Sequence, residues 1–125
     1  MHGYVSNIEA DTIANEDFRR VVFTGPNTQL VLMTLRPGEE IGLETHDEHD
    51  QFIRVEAGIG VVVLDGEESA LEDGSAVVIP AGTEHNVVNT SDAEPLRLYT
   101  LYSPPEHPDG TIHRTKKEAE AAEHD

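Results

Sequence analysis

The sequence contains no cysteine in 125 residues. A disulfide framework and any thiolate metal site are therefore excluded, and a reducing, cytoplasmic setting is the expectation. Lysine is almost missing: Lys116 and Lys117 are its only occurrences. Eight basic residues face 25 acidic ones, for a formal net charge of -17. A field of that sign repels phosphate backbones, so no nucleic-acid partner is expected. It also strains the folded chain by self-repulsion, which salt relieves; the Debye length falls to about 3 Å at 1 M. Scarce lysine beside abundant Asp and Glu reads as adaptation to a saline, halophilic cytoplasm, the alternative being an acidic protein of ordinary conditions. Long apolar runs are missing too. The longest, Gly60–Leu64, falls far short of a membrane span. The start, Met1-His2-Gly3-Tyr4, lacks the basic patch and apolar stretch of a signal peptide. No membrane partner is expected.

What is present is a succession of short strands. Phe18–Thr24 and Gln29–Arg36 are rich in Val, Leu, Phe and Thr, with Gly25-Pro26-Asn27 as the turn between them. Pro37-Gly38 closes the second run. Gln51–Glu56 alternates and is broken by Gly58 and Gly60. Gly60–Leu64 ends at Asp65-Gly66, a hairpin signal, and Glu67–Leu71 returns. Ala76–Ile79 lies between the turns Glu72-Asp73-Gly74 and Pro80-Ala81-Gly82. His85–Asn89 and Leu96–Tyr102 follow, separated by a polar loop. Strands this short and this regularly punctuated predict an all-β barrel or sandwich. Ser103-Pro104-Pro105 ends the sheet region, because proline cannot continue a ladder. Beyond it the chain turns helical: Thr115 and Glu118 form a capping box and Ala119–Glu123 favours helix. The expected organisation is one barrel domain over residues 1–102 and a tail over 103–125 with a short helix.

Two segments concentrate chemistry. Glu44 and His46 are two apart, so on a strand they share a face. A turn through Asp47–Asp50 brings Gln51 back on the next strand. His85 follows the Pro80–Gly82 turn and is expected to close the set from the far side. Two imidazoles, a carboxylate and an amide oxygen suit a borderline divalent ion: Mn, Fe, Ni, Co or Zn. An all-oxygen calcium or magnesium site fits two histidines poorly. Glu44, His46, Gln51 and His85 are thus the candidate metal ligands. Gln51 has a second reading, as a buried amide bonded to backbone or a group that contacts substrate. His49 is expected in solvent, within the acidic loop.

With these residues in view, the sequence resembles the cupin family. Gly74, Pro80, Gly82, His85 and Asn89 match the family's second motif at every spacing. Gly38, Glu44, His46, Gln51 and Gly58 match the spacing of the first, over a resemblance that covers about Val31 to Tyr102. Two residue types depart: the family pattern has histidine at the position of Glu44 and glutamate at that of Gln51. The formal ligand charge is unchanged, but the amide is a weaker donor, so weaker metal binding is expected than for three histidines and a carboxylate. A glutamine at one metal position also occurs among mannose-6-phosphate isomerase-like relatives. The resemblance implies a jelly-roll, or double-stranded β-helix, barrel.

It also implies a metal-dependent enzyme acting on a small oxygenated molecule, either dioxygenase-like or isomerase- or lyase-like. The alternative is a non-catalytic module that binds or senses a small, sugar-like ligand. A homodimer is expected, since small barrels of this kind often pair through their sheets and Phe52 faces away from the barrel interior. Packing of Phe52 under the N-terminal segment is the competing reading. The Pro-rich stretch Ser103–His113 is long enough to cross the barrel mouth, where His107 or His113 would face the metal; packing on the outside is its alternative.

Overall fold

In the computed structural model, which describes residues 2–123, two antiparallel sheets form a cupin-type barrel. The strands are β1 (Arg19–Thr24), β2 (Gln29–Leu35), β3 (Glu44–Thr45), β4 (Asp50–Ala57), β5 (Gly60–Leu64), β6 (Glu67–Leu71), β7 (Ala76–Ile79), β8 (Glu84–Asn89), β9 (Leu96–Ser103) and β10 (Ile112–His113). One sheet runs β10-β1-β2-β9-β4-β7 and the other β3-β8-β5-β6. The turn signals of the sequence place most of these boundaries within a residue. The exceptions are β3 and β10, two residues each and too short to show a period.

Alternation decides which side chains enter the core. Along β4, Gln51, Ile53 and Val55 are buried, while Phe52, Arg54 and Glu56 are only partly covered. Ile79, Val62, Val87, Leu96, Leu98 and Met33 complete the interior. Strand β2 breaks the alternation, with Val31, Leu32, Met33, Thr34 and Leu35 all buried. A strand covered on both faces reads as a continuous apolar run.

The cover is a helix that the sequence reading missed, α1 (Ile8–Ala14). Asn7 caps it, its side chain accepting from the Ala10 N–H at 3.0 Å. Asn15, just past its end, exchanges hydrogen bonds with Thr34: Asn15 Nδ2 donates to Thr34 Oγ1 at 3.2 Å and Thr34 Oγ1 donates to Asn15 O at 2.7 Å. Arg97 adds an ion pair to Glu16 at 2.9 Å. Seven residues are too few for a helical period to be legible, and Thr12 and Ile13 weaken the propensity. Phe52 is half-buried with its ring 6.3 Å from that of Tyr99.

After β9 the chain is tied down by a buried amide. Gln29 Nε2 donates to His107 O at 2.7 Å, and its Oε1 accepts from the N–H groups of Glu106 and His107 at 3.2 and 3.0 Å. Residues 112–113 then pair with β1. The helix α2 (Lys116–Glu123) follows, with Thr115 Oγ1 accepting from the Glu118 N–H at 3.1 Å. Ala119 packs into the core.

Candidate metal centre

Two motif segments distant in the chain meet at one end of the barrel. Strand β3 pairs with β8, which sets Glu44 directly opposite His85. His46 follows β3, and its carbonyl accepts from the Gly82 N–H at 2.9 Å. That bond fixes the His46 backbone to the Pro80–Gly82 turn. Ligand-capable atoms of Glu44, His46 and His85 consequently lie within 4.8 Å of one another. His85 arrives from the adjacent strand rather than from the far side, because β8 is the hydrogen-bonded neighbour of β3.

The donor set fits a shared cation. Glu44 Oε2 stands 2.9 Å from His46 Nε2. The approach is close but poorly aligned for a hydrogen bond, and the buried Nε2 has no partner that satisfies hydrogen-bond geometry. Two donors bound side by side to one ion, each at about 2.1 Å, stand roughly 3 Å apart. His85 Nδ1 donates to the Thr83 carbonyl at 2.9 Å. A carbonyl only accepts, so Nδ1 carries the proton and Nε2 keeps its lone pair for a ligand. Gln51 is buried, donates from Nε2 to Thr100 Oγ1 at 3.0 Å, and leaves Oε1 buried without a partner. An orphaned carbonyl oxygen is a costly thing to bury and has the chemistry of a metal or ligand contact.

The charges of the site are coupled. Burial would raise the Glu44 pKa, but the contact with His46 and the charges of His46, Arg19 and His85 outweigh it and hold the carboxyl below its usual range. The contact with Glu44 raises His46 above the ordinary imidazole value; burial opposes it, and the Glu44 and Glu106 charges reinforce it. For the metal-free protein this sets a pH window. The raised His46 contributes stability that is full below about 6.5 and is lost as pH climbs through its folded value. The lowered Glu44 contributes stability present above its ordinary value and lost as pH falls through its folded value. The stability difference between the native protein and Glu44→Gln, followed by urea denaturation, is therefore expected to peak between about pH 5 and 6 and to shrink on both sides. A difference that grows steadily toward pH 9 would contradict the coupling.

The tail crosses this end of the barrel, and it contributes groups the sequence did not reveal. His49 lies not in solvent but under the tail: its Nδ1 donates to Pro104 O at 2.7 Å and its Nε2 is 2.8 Å from Glu106 Oε2. The same Glu106 oxygen is 3.8 Å from His46 Nδ1. Nothing distinguished Glu106 among 25 acidic residues in the sequence. Tyr102, opposite Gln51 in the β4–β9 ladder, sets its ring edge-on to His46 at 5.8 Å and to His107 at 5.2 Å. Burial, aided by the positive charge of Arg19, lowers the His107 pKa to about 3, so this imidazole is neutral. Arg19 is itself buried, and the paired Arg19-Arg20 in so acidic a chain was the one available hint of its role.

A jelly-roll barrel with a His/Glu cluster at one end defines a class, and the comparisons agree. Residues 31–102 match the Cupin domain, and the chain belongs to that family. It is similar to YrkC of Bacillus subtilis (strain 168), 48% identical over 96% of this chain and 67% of that protein. The crystal structure of BH2720 from Bacillus halodurans superposes with a TM-score of 0.93, at 46% identity, over 96% of this chain and 95% of that one. A sugar phosphate isomerase of the cupin superfamily from Silicibacter pomeroyi is 30% identical over 63% of this chain and 52% of its own, with a TM-score of 0.58.

Proposed function

We propose that Glu44, His46, Gln51 and His85 hold one divalent transition metal ion and that the protein is a metal-dependent enzyme acting on a small oxygenated molecule. The observation that carries this reading is the convergence of Glu44, His46 and His85 within 4.8 Å, with His46 Nε2 buried 2.9 Å from Glu44 Oε2 and outside hydrogen-bond geometry. An ion held there supplies a Lewis acid that polarises an oxygen of the bound molecule. The chain's own groups do the rest. Glu44 offsets the ion's charge, and the Thr83 carbonyl keeps the His85 proton on Nδ1, away from the cluster. Glu106 Oε2, between His46 and His49, is within reach to take up or return a proton at the mouth. The tail held by Gln29 limits water access. The Silicibacter isomerase supports the isomerase branch of the reading, and borderline ligands admit the redox branch.

Elemental analysis of untagged protein, followed by oxygen uptake and turnover on a panel of small hydroxy and keto compounds, tests the reading. Bound metal with turnover is expected. Tight binding without turnover would make the protein a binding module, and failure to take up any metal under loading conditions would end the reading. Gln51→Leu is expected to weaken metal retention by about tenfold, as loss of one supporting group does. Unchanged retention, measured by chelator competition, would reduce Gln51 to a structural partner of Thr100.

A further inference from the structure

The two histidines of the cluster are held in different ways. His85 is fixed locally, its Nδ1 donating to the Thr83 carbonyl at 2.9 Å. His46 is held from far along the chain. Its Nε2 faces Glu44 Oε2 at 2.9 Å, and on the other side of the ring its Nδ1 faces Glu106 Oε2 at 3.8 Å. Both side chains of that second pair are mostly covered, 13% and 27% exposed, so their attraction is screened less than that of exposed ions. Glu106 is itself tethered twice. Its Oε2 stands 2.8 Å from His49 Nε2, and its N–H donates to Gln29 Oε1 at 3.2 Å. Gln29 is wholly buried and also binds the His107 N–H and carbonyl at 3.0 and 2.7 Å. Three bonds to the main chain of two successive residues fix that stretch of tail, and with it the root of the Glu106 side chain. Gln29 and Glu106 both lie outside the motif segments and outside the four proposed ligands.

We propose that Glu106 is a positioning residue for His46, and that Gln29, by docking the tail, couples the placement of that ring to the binding of a cation at the cluster. When an imidazole gives its Nε2 lone pair to a cation, its proton is left on Nδ1, and a carboxylate facing Nδ1 favours that form and that orientation of the ring. For His85 the Thr83 carbonyl already does this. For His46 the only such group on the page comes from the tail. A docked tail thus presents a ring ready to bind, while a released tail leaves the ring to be ordered at the moment of binding, which lowers affinity.

Coupling of this kind is reciprocal: whatever factor the docked tail adds to cation affinity, the cation adds to docking. His49 is the lesser of the two tethers, because without it the main chain of Glu106 stays on Gln29 and the carboxylate is free to turn wholly to His46. That the bound cation is a metal ion rests on the proposed function. That the tail sets the His46 ring does not.

Zn²⁺ is the probe, on the full-length protein, with three readouts: affinity by chelator competition, hydrogen exchange at the Glu106 and His107 amides, and the ring ¹⁵N signals of His46 and His85 without metal. Glu106→Gln is expected to weaken Zn²⁺ about tenfold, the low end of what loss of an outer-shell partner costs. Gln29→Leu is expected to weaken it comparably, and to add little in the Glu106→Gln background, because both changes break one chain of contacts. Loading the native protein is expected to slow exchange at the two amides by the same factor, an effect absent from Glu106→Gln. Without metal, Gln29→Leu is expected to move the His46 ring signals and leave those of His85 in place. Should Gln29→Leu fail to fold, Glu106→Gln with the exchange measurement decides, since it changes a side chain at the mouth and keeps the bond to Gln29. Native affinity in Glu106→Gln, additive losses in the double variant, or exchange unaltered by loading would each overturn the proposal. Protein that takes up no Zn²⁺, yet whose His46 signals move in Gln29→Leu, would sink the metal reading and leave the positioning of His46 standing. Protein that takes up Zn²⁺ with native affinity in both variants would sink the coupling alone.

Discussion

Replacing His46 or His85 with alanine is expected to lower metal affinity by more than about a hundredfold, beyond the 10- to 100-fold that loss of a mere supporting contact costs. Both histidines supply a nitrogen to the cluster, so removing either leaves a carboxylate, one imidazole and the weak amide oxygen of Gln51, too few strong donors to compete with water. Folding should survive. His46 is only partly buried and lies outside the strands, and the His85 backbone stays paired with Leu64 and Glu44. Elemental analysis after dialysis against a chelator gives the metal content, and circular dichroism gives the fold. His49→Ala is the matched control: it removes a neighbouring imidazole bound to Pro104 and Glu106 rather than to the cluster, and metal content should hold. Metal retained in both alanine variants, or lost equally in the control, would show that the ligands are misassigned.

The second large effect concerns stability. Gly58→Ala is expected to cost about 3 kcal/mol or more, and Gly74→Ala about 1–2 kcal/mol. Both glycines have positive φ, +105° and +87°, which an L side chain adopts only with strain. They differ in their surroundings. A Cβ at position 58 would stand 2.5 Å from the Pro95 carbonyl oxygen and 3.0 Å from Leu96 Cα, both backbone atoms that cannot swing away. A Cβ at position 74 meets nothing within 4 Å. The difference between the two variants thus isolates the clash from the strain. Urea denaturation midpoints at constant slope provide the measurement. Equal losses in the two variants would mean that φ alone decides and that the β4–β9 approach relaxes freely.

Both motif glycines were legible as turn formers; that Gly58 is also a packing constraint is seen only in the structure. The same division runs through the fold. Strands β5, β6 and β7 have the bounds that Gly, Pro and Asp-Gly punctuation assigns them, since a turn is a property of adjacent residues. The helix α1 was not legible, because its stability comes from Asn7, from Asn15 against Thr34, and from the face of β2 it covers. The continuous apolar run in β2 carried that message, as an alternating strand would have needed no cover. At the site, Glu44, His46 and His85 were legible from spacing and do converge, while Gln51 is buried beside Thr100 with a free carbonyl oxygen. Arg19 and Glu106 were not assigned to the cluster's electrostatics or contacts by any spacing, and His107 was named only through the length of the tail, as one of two histidines that would reach the mouth.

The sequence by itself determined the boundaries of most of the barrel's strands, the absence of any thiolate ligand and the candidate cation ligands, all of which follow from local turn chemistry and residue type. Only the tertiary structure decided which charges surround those residues. That choice depends on the path of the tail, and the path is set by the buried Gln29 amide, which holds Glu106 and His107 from 77 and 78 positions away. A hydrogen bond over that separation leaves no trace in the spacing of neighbouring residues, because its partners are brought together by the closure of the sheets rather than by the chain between them.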